Sequence, residues 1–235
     1  MDRRAAPGRA ARRGRTVITD LLAPPVSAFE AFDDPDGVVL FPEEEEHVAR
    51  AVEKRRKEFT TGRHCARTAL AALGFPPVPL LPGPKREPTW PEGVVGSITH
   101  CKGYRAAAVG RTSEVWTIGI DAEPNEPTPD GVLEAIAVPG ELARMGELKA
   151  AGDKVAWDRL LFSAKETVYK AWFPLARTWL GFEDAEVAIN PDDGTFTARI
   201  LIEPPLVDGV VLDGFTGRWL AREGFVVTAI AVPAR

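Results

Sequence analysis

Two acidic residues in the stretch IGIDAEP could act together as ligands. Asp121 and Glu123 lie at the end of a predicted strand. Because strand side chains alternate between faces, both carboxylates project to the same side. Carboxylate oxygens suit Mg²⁺, which completes its coordination with waters and substrate phosphate oxygens. The same spacing also occurs by chance at solvated strand ends, so a metal site and a surface pair both remain open.

A second stretch, FSAKETVYKAWFP, places charged residues inside an apolar helical pattern. Glu166 and Lys170 are four residues apart and share a helix face, which is compatible with a simple surface ion pair. Lys165 and Tyr169 extend the same polar strip. A third carboxylate there would complete the cation site begun by the strand, and the lysines would reach phosphate oxygens. The two stretches together predict phosphate chemistry assisted by Mg²⁺.

Basic residues outside these stretches are candidates for binding an anion. His100 directly follows a predicted strand, where a lone histidine is either structural or, beside Lys102 and Arg105, an anion contact. Lys85 and Arg86 lie in a proline-bounded loop, where binding groups concentrate. Neither G-x-x-x-x-G-K-[ST] nor G-x-G-x-x-G occurs, so phosphate capture would rest on side chains rather than on a glycine loop.

Residues 42–74 predict one long helix, or two helices if the residues at 60–62 (Thr-Thr-Gly) interrupt it. The helix carries more cations than nearby acids can pair. Either a solvated face or a phosphate site explains this excess. The cations are Lys54, Arg55, Arg56, Lys57, Arg63 and Arg67.

The order of predicted elements indicates an α+β fold with two similar halves. Helical signal is followed by short strands twice along the chain, which favours antiparallel sheets over a βαβ arrangement. The strands of the first set are predicted at 93–99, 105–110 and 114–123, and those of the second set follow helices at 140–151 and 155–173, the latter ended by Pro174. The segment 16–37 is predicted to be rich in loops. The predicted divisions are a disordered basic tail at 1–16, an N-terminal half at 17–123, a linker with the start of the second half at 124–139, and a C-terminal half at 140–235.

Composition narrows the class of protein. A net charge of -5 argues against a general nucleic-acid binder, and no apolar run is long enough for a membrane helix. Cys65 and Cys101 lack metal-ligand spacing and are expected to be reduced packing residues. We therefore expect a cytoplasmic protein that binds neither nucleic acid nor membrane.

Three motifs resemble, in this order, those of the phosphopantetheinyl transferases of the surfactin-synthetase and enterobactin type. GSITHCKGYRAAAVG, IGIDAEP and FSAKETVYKAWFP match that family's patterns S/T-H-x-x-G-Y/R/W, G-x-D-x-E and F/W-x-x-K-E-x-x-x-K. FTTGRHCARTAL further resembles the helix before the sheet in the siderophore and polyketide branch. The resemblance covers roughly residues 40–235 and implies two pseudo-symmetric halves, each with helices packed on a small antiparallel sheet, and an active site at their interface.

Such enzymes transfer 4'-phosphopantetheine from coenzyme A to a serine of an apo carrier protein and release 3',5'-ADP. The resemblance implies that Asp121, Glu123 and Glu166 hold Mg²⁺, for which Mn²⁺ is an expected substitute. Glu166, directly or through a water, would take the serine proton. Lys170 would hold a pyrophosphate oxygen, and Lys165 would help to neutralise the transferring phosphate.

The resemblance also implies a site for the 3'-phosphate of coenzyme A. His100 would contact that phosphate, next to Thr99, which replaces the serine common in the family and offers the same hydroxyl. Arg55, Arg63, Lys85 and Arg86 are candidate partners of His100 in this site.

The implied protein partner is an apo acyl or peptidyl carrier domain, which is generally acidic. The residues just beyond the catalytic helix, Phe173, Leu175, Arg177 and Trp179, would form an apolar and basic docking surface, although core packing explains the aromatics equally well. A single chain supplies both halves of the site in this type, so a monomer is expected. The alternatives are a non-catalytic protein that binds carrier domains or coenzyme A, and another Mg²⁺-dependent nucleotide or phosphate-ester enzyme.

Overall fold

The computed structural model describes residues 16–152 and 154–235. The tail predicted at residues 1–16 lies, apart from Thr16, outside the described residues. The helices are α1 (Pro42–Val48), α2 (Glu53–Ala72), α3 (Val132–Ile136), α4 (Pro139–Ala151) and α5 (Trp157–Ala176). The strands are β1 (Ser27–Ala31), β2 (Val94–Cys101), β3 (Tyr104–Arg111), β4 (Val115–Pro124), β5 (Ala185–Asn190), β6 (Thr195–Ile200), β7 (Leu206–Val207), β8 (Val210–Val211), β9 (Gly214–Arg222) and β10 (Phe225–Pro233).

Two antiparallel sheets form the framework, which confirms the α+β class. The smaller sheet has the order β1-β3-β2 and the larger has the order β4-β10-β9-β6-β5. The short pair β7–β8 stands apart from both. α2 packs on β1 and β3, whereas α5 packs on β4 and β10, so each sheet carries one long helix. Within the described residues, no helix combines the length and the apolar character needed to cross a membrane.

The third predicted strand of the first set does not join the sheet of the other two. β4 pairs with β10 along nearly its whole length, from Val115 to Pro124. β2 meets β4 through side chains instead: Ser97 Oγ accepts a hydrogen bond from the Ile120 amide, and Thr99 Oγ1 accepts one from the Ala122 amide, each at 3.1 Å. β4 therefore lies at the seam between the two sheets.

Two predicted helix boundaries are wrong. The break in the first helical region falls between Val48 and Glu53, and α2 continues through residues 60–62. Gly62 lets α2 approach β2, because a Cβ there would lie 3.3 Å from the Ile98 side chain. α5 likewise continues past Pro174, which cannot donate to the Lys170 carbonyl, and ends two residues later at Ala176.

The segment predicted to be rich in loops contains β1, which pairs with β3. Glu30 of this strand accepts hydrogen bonds from the Val17 amide, from Thr19 Oγ1 and from the buried Tyr104 hydroxyl. These contacts fix the start of the described chain against the smaller sheet. Sequence alternation alone did not reveal β1, because all five of its residues are half-buried.

The apolar stripe predicted for α5 forms the centre of the larger core. Leu161, Val168 and Trp172 are at most 1% exposed and pack over the larger sheet. Cys65 and Cys101 are both free and buried, and burial raises the pKa of each thiol to about 12. They are packing residues, as predicted.

Candidate active site

α5 lies directly on β4 because residue 119 is a glycine. A Cβ at this position would overlap the Thr167 carbonyl oxygen and lie 2.9 Å from the Ala171 amide nitrogen. Next to it, Thr117 Oγ1 donates a hydrogen bond of 2.7 Å to the Ala171 carbonyl. Gly119, the second residue of IGIDAEP, therefore sets the distance between the two acidic motifs.

A buried hydroxyl network holds α5 in the same register on β10. Thr228 lies opposite Asp121 in the β10–β4 ladder. Its hydroxyl lies 2.9 Å from Ser163 Oγ and 2.7 Å from Thr167 Oγ1. All three hydroxyl residues are fully buried, so each hydrogen bond also satisfies a group that water cannot reach.

Asp121 is the most enclosed of the three predicted carboxylates. Its Oδ1 accepts hydrogen bonds from Lys170 Nζ at 2.7 Å and from Thr99 Oγ1 at 3.1 Å. Its Oδ2 is buried and, among the described residues, has no hydrogen-bond partner. A buried carboxylate oxygen without a partner is costly, which marks this atom as the place for a further cation.

Glu123 is held by a cation that the motifs did not predict. Arg159 of α5 lies 3.3 Å from Glu123 Oε2 and also donates to the carbonyls of Glu126 and Pro127. Burial, with the nearby charge of Asp121, raises the pKa of Glu123 to about 7, although Arg159 opposes the shift.

Glu166 lies half-buried on the face of α5 that contains Lys170. Burial raises the pKa of its carboxyl; Lys170 opposes the shift, and Asp121 adds to it. The three predicted carboxylates are thus near enough to affect one another's ionisation.

The carboxylates suit a divalent cation but do not form a closed cage. Across the described part of the chain, no three His, Cys, Asp or Glu side chains converge as a metal cluster. Lys170 and Arg159 instead hold Asp121 and Glu123 as ion pairs. All the available ligand atoms are carboxylate oxygens, and their negative charges repel one another. One of them, Asp121 Oδ2, is buried without a partner among the described residues. Mg²⁺ fits such a site.

A cavity of about 530 Å³ lies between α5 and the loop before β2. Lys85 and Arg86 line it from the loop before β2, and Glu166 and Lys170 line it from α5. The structure thus brings the two predicted loop cations to the same cavity as Glu166 and Lys170 of α5.

His100 is the last but one residue of β2 rather than a residue beyond it. Its Nε2 lies 2.9 Å from Arg55 Nη1, and its Nδ1 lies 3.6 Å from Glu58 Oε2. Burial lowers the pKa of His100, which favours the neutral ring that accepts from Arg55. This contact unites two of the residues predicted for one phosphate.

Arg63, also predicted for that phosphate, is directed into the protein instead. The residue is 6% exposed, its Nε donates to the Leu80 carbonyl at 2.7 Å, and its guanidinium lies 4.1 Å from the centre of the Phe59 ring. Burial lowers its pKa to about 10. The Arg63 side chain therefore lies in the packing between α2 and the segment at Leu80.

Lys165 does not face the cavity either. Its side chain is 1% exposed, and its ammonium pairs with Glu141 Oε2 at 2.9 Å. The hydroxyl of Thr99, which is predicted to contact the cofactor, is bonded to Asp121 and to the Ala122 amide. Both residues belong to the packing around the site.

Sequence reasoning missed Arg159, although a signal was present. It precedes Glu166 by seven residues, or two helical turns, and therefore shares a face with Glu166 and Lys170. The partners of Lys165 and His100, Glu141 and Glu58, had no such signal because their contacts cross between separate elements.

Comparisons with known proteins identify the same family that the three motifs resemble. Residues 43–110 match the 4'-phosphopantetheinyl transferase N-terminal domain, and residues 117–224 match the 4'-phosphopantetheinyl transferase superfamily. The change from one family model to the next falls between β3 and β4, where the chain passes from the smaller sheet to the larger.

Similar proteins of known name cover most of the chain. The 4'-phosphopantetheinyl transferase Svp of Streptomyces mobaraensis is 59% identical over 205 residues, 87% of this chain and 83% of that protein. The 4'-phosphopantetheinyl transferase PptT of Mycobacterium tuberculosis is 51% identical over 221 residues, 92% of this chain and 94% of that protein. The 4'-phosphopantetheinyl transferase Npt of Nocardia iowensis is 45% identical over 223 residues, 92% of this chain and 99% of that protein. With both family models matched in order and the two acidic motifs in contact across Gly119, this chain belongs to the 4'-phosphopantetheinyl transferase superfamily.

Proposed function

We propose that this protein transfers 4'-phosphopantetheine from coenzyme A to a serine hydroxyl of an apo carrier protein and releases 3',5'-ADP. The observation that carries the proposal is the contact between β4 and α5. It brings Lys170 Nζ to 2.7 Å from Asp121 Oδ1 beside a cavity that Glu166 also lines. Family membership supplies the reaction class, and this contact supplies the groups that it needs.

Basic residues from several elements would bind coenzyme A. Arg55 and His100 lie in hydrogen-bond contact and would hold its 3'-phosphate. Lys85 and Arg86, at the cavity, would hold other phosphate oxygens. Lys170 donates to Asp121 and to the Ile120 carbonyl, and its third N–H would reach the pyrophosphate.

Asp121, Glu123 and Glu166 would hold Mg²⁺, or Mn²⁺ in its place. The bound cation would offset negative charge on the pyrophosphate. Thr99 would keep Asp121 in position through its hydroxyl, and Arg159 would do the same for Glu123. Both contacts leave other carboxylate oxygens for the metal.

Glu166 would take the proton of the carrier serine, directly or through one water. Burial and the charge of Asp121 raise the pKa of Glu166, which makes it a better base than an exposed carboxylate. The serine oxygen then forms a bond to the β-phosphorus of coenzyme A. The bond from that phosphorus to the bridging oxygen breaks, and 3',5'-ADP leaves with the electron pair.

The carrier would dock next to the end of α5. Trp179 is 68% exposed and Arg177 is exposed as well, whereas Phe173 is 8% exposed and belongs to the core. An apolar ring beside a cation suits the acidic helices of a carrier domain. Arg177→Glu should raise the KM for the carrier at least about fivefold and leave that for coenzyme A unchanged; an unchanged carrier KM would remove Arg177 from the docking surface.

The expected setting is the cytoplasm, and the expected state is a monomer. Two free, buried thiols fit a reducing compartment. Residues on both sides of the cavity come from one chain, so a second copy is not needed to complete the site.

Intact-protein mass spectrometry tests the reaction. An apo carrier protein is incubated with this protein, coenzyme A and Mg²⁺, with EDTA and Asp121→Ala samples in parallel and Glu147→Ala as a matched surface control. We expect a mass gain equal to one phosphopantetheine, lost with EDTA and with Asp121→Ala but kept in the control. No gain on several carrier types despite coenzyme A binding would favour a binding protein instead.

A further inference from the structure

Lys165 and Glu141 form an ion pair that is closed to solvent. Both side chains are 1% exposed, and Lys165 Nζ lies 2.9 Å from Glu141 Oε2. The same ammonium donates to the Phe182 carbonyl at 2.6 Å and to the Ala185 carbonyl at 2.8 Å. A lysine has three N–H donors, and these three acceptors use all of them. No donor remains for a substrate phosphate.

Glu141 ties further parts of the fold to this pair. Its Oε2 accepts a hydrogen bond from the Val138 amide at the start of α4, and its Oε1 accepts one from the Val187 amide of β5. The pair therefore joins α4, α5 and the turn that leads into β5. A carboxylate and an ammonium with every hydrogen bond satisfied form a rigid link.

This link lies directly beside Glu166. A cavity of about 150 Å³ lies between α5, where Lys165, Glu166 and Tyr169 line it, and the segment 179–185. The carbonyls of Phe182 and Ala185, which Lys165 holds, belong to that segment. Trp179, at its start, contacts the Tyr169 ring with centroids 5.0 Å apart. Lys165 thus holds in place the wall of the cavity that faces Glu166.

We propose that Lys165 and Glu141 are positioning residues that hold the wall of the small cavity beside Glu166, and that Lys165 contacts no phosphate. The pair fixes the segment 179–185 at a set distance from Glu166. This assignment rests on the proposed function for the role of Glu166. It replaces the phosphate-neutralising role that the family resemblance implied for Lys165.

Removing one partner or both should have different effects on stability. Lys165→Met leaves a buried carboxylate without its counter-charge, which is strongly destabilising. Glu141→Gln combined with Lys165→Met leaves no buried charge, and the one glutamine oxygen accepts from either the Val138 or the Val187 amide. If Lys165 acted on phosphate, both variants would also weaken the binding of coenzyme A, which a positioning role leaves unchanged.

The experiment compares wild type, Lys165→Met, Glu141→Gln and the double variant by thermal unfolding and steady-state transfer kinetics. For Lys165→Met we expect a Tm lower by roughly 10 °C and a kcat lower by about 30-fold or more. The KM for coenzyme A should stay within about twofold of wild type. The double variant should recover part of the lost Tm but keep the low kcat, because methionine cannot donate to the carbonyls of Phe182 and Ala185.

Two results would overturn the proposal. One is a folded double variant with a kcat within about twofold of wild type, since the segment 179–185 would then not depend on the ammonium. The other is a rise of about tenfold in the KM for coenzyme A when Lys165 is replaced. If Lys165→Met fails to fold, the double variant alone decides, since it removes the same ammonium.

Hydrogen exchange separates this proposal from the proposed function, because it needs no transfer assay. In Lys165→Met, amides of the segment 179–185 should exchange at least about tenfold faster than in wild type, while those of β2 change little. Unchanged exchange in 179–185 would contradict the positioning role even if the enzyme is active. An inactive wild type with the expected exchange pattern would contradict the function and not the link.

Discussion

Two faces of α5 each hold a lysine in an ion pair, and their surroundings differ. Lys165 and Glu141 are both 1% exposed at 2.9 Å, whereas Lys170 and Asp121 are 26% and 7% exposed at 2.7 Å. Lys165 has used all its donors inside the fold, but Lys170 donates to only two acceptors among the described residues and lines the large cavity. Distance alone does not distinguish the two pairs. They differ in the hydrogen-bond capacity that remains on the lysine and in access to the large cavity.

The largest expected effect comes from removing the carboxylate of Glu166, the proposed base, which lines the large cavity beside Lys170. Glu166→Gln keeps the size of the side chain but cannot take a proton, so kcat should fall by about 10³-fold. Initial rates of holo-carrier formation measure the change. Glu147→Gln on the exposed surface of α4 is the control and should stay within about twofold. A loss of less than about tenfold for Glu166→Gln would remove it as the base.

A change in the seam between α5 and β4 should come next. Gly119→Ala places a methyl group against the Thr167 carbonyl and the Ala171 amide, so α5 must move away from β4. Misplacing Glu166 and Lys170 should lower kcat by about 10²-fold. Gly146→Ala, whose Cβ would meet nothing within 4 Å, is the matched control and should not lower the Tm. Full activity in Gly119→Ala would show that the seam does not set the site.

The two arginines of α2 repeat the contrast between the two lysines. Arg55 contacts His100, whereas Arg63 is buried against Leu80 and Phe59. Arg55→Met should raise the KM for coenzyme A by about tenfold through loss of a charged hydrogen bond to phosphate. Arg63→Met should lower the Tm and leave that KM within about twofold. Equal KM effects would return Arg63 to the phosphate site.

The smallest effect concerns the hydroxyl that supports Asp121. Thr99→Val keeps the shape of the side chain but removes the donor to Asp121 Oδ1 and the acceptor for the Ala122 amide. We expect kcat to fall about fivefold, with Thr99→Ser close to wild type. A loss confined to the KM for coenzyme A would instead indicate a direct contact between Thr99 and the cofactor.

The sequence predicted the local geometry of the site well. Strand alternation placed Asp121 and Glu123 together, and helical spacing placed Glu166 beside Lys170. The same spacing places Lys165 on the buried stripe, four residues after Leu161 and three before Val168. We nevertheless expected Lys165 on the polar strip, because charged residues are usually exposed.

Contacts between distant elements were not predictable in the same way. The pairing of β4 with β10 joins segments about one hundred residues apart, and the partner of Lys165 lies on another helix. One helix, or two with a break at residues 60–62, remained open because glycine and threonine are poor helix formers. Gly62 instead lies where α2 approaches the Ile98 side chain of β2, and the helix continues through it.

The most direct test of the division between the two faces is calorimetric titration of coenzyme A into Lys170→Met and into the Glu141→Gln/Lys165→Met double variant, with Mg²⁺ present. Each variant removes one lysine of α5 from an ion pair. We predict affinity at least about tenfold weaker for Lys170→Met, and within about twofold of wild type for the double variant. Equal weakening in both, or weakening only in the double variant, would contradict the account.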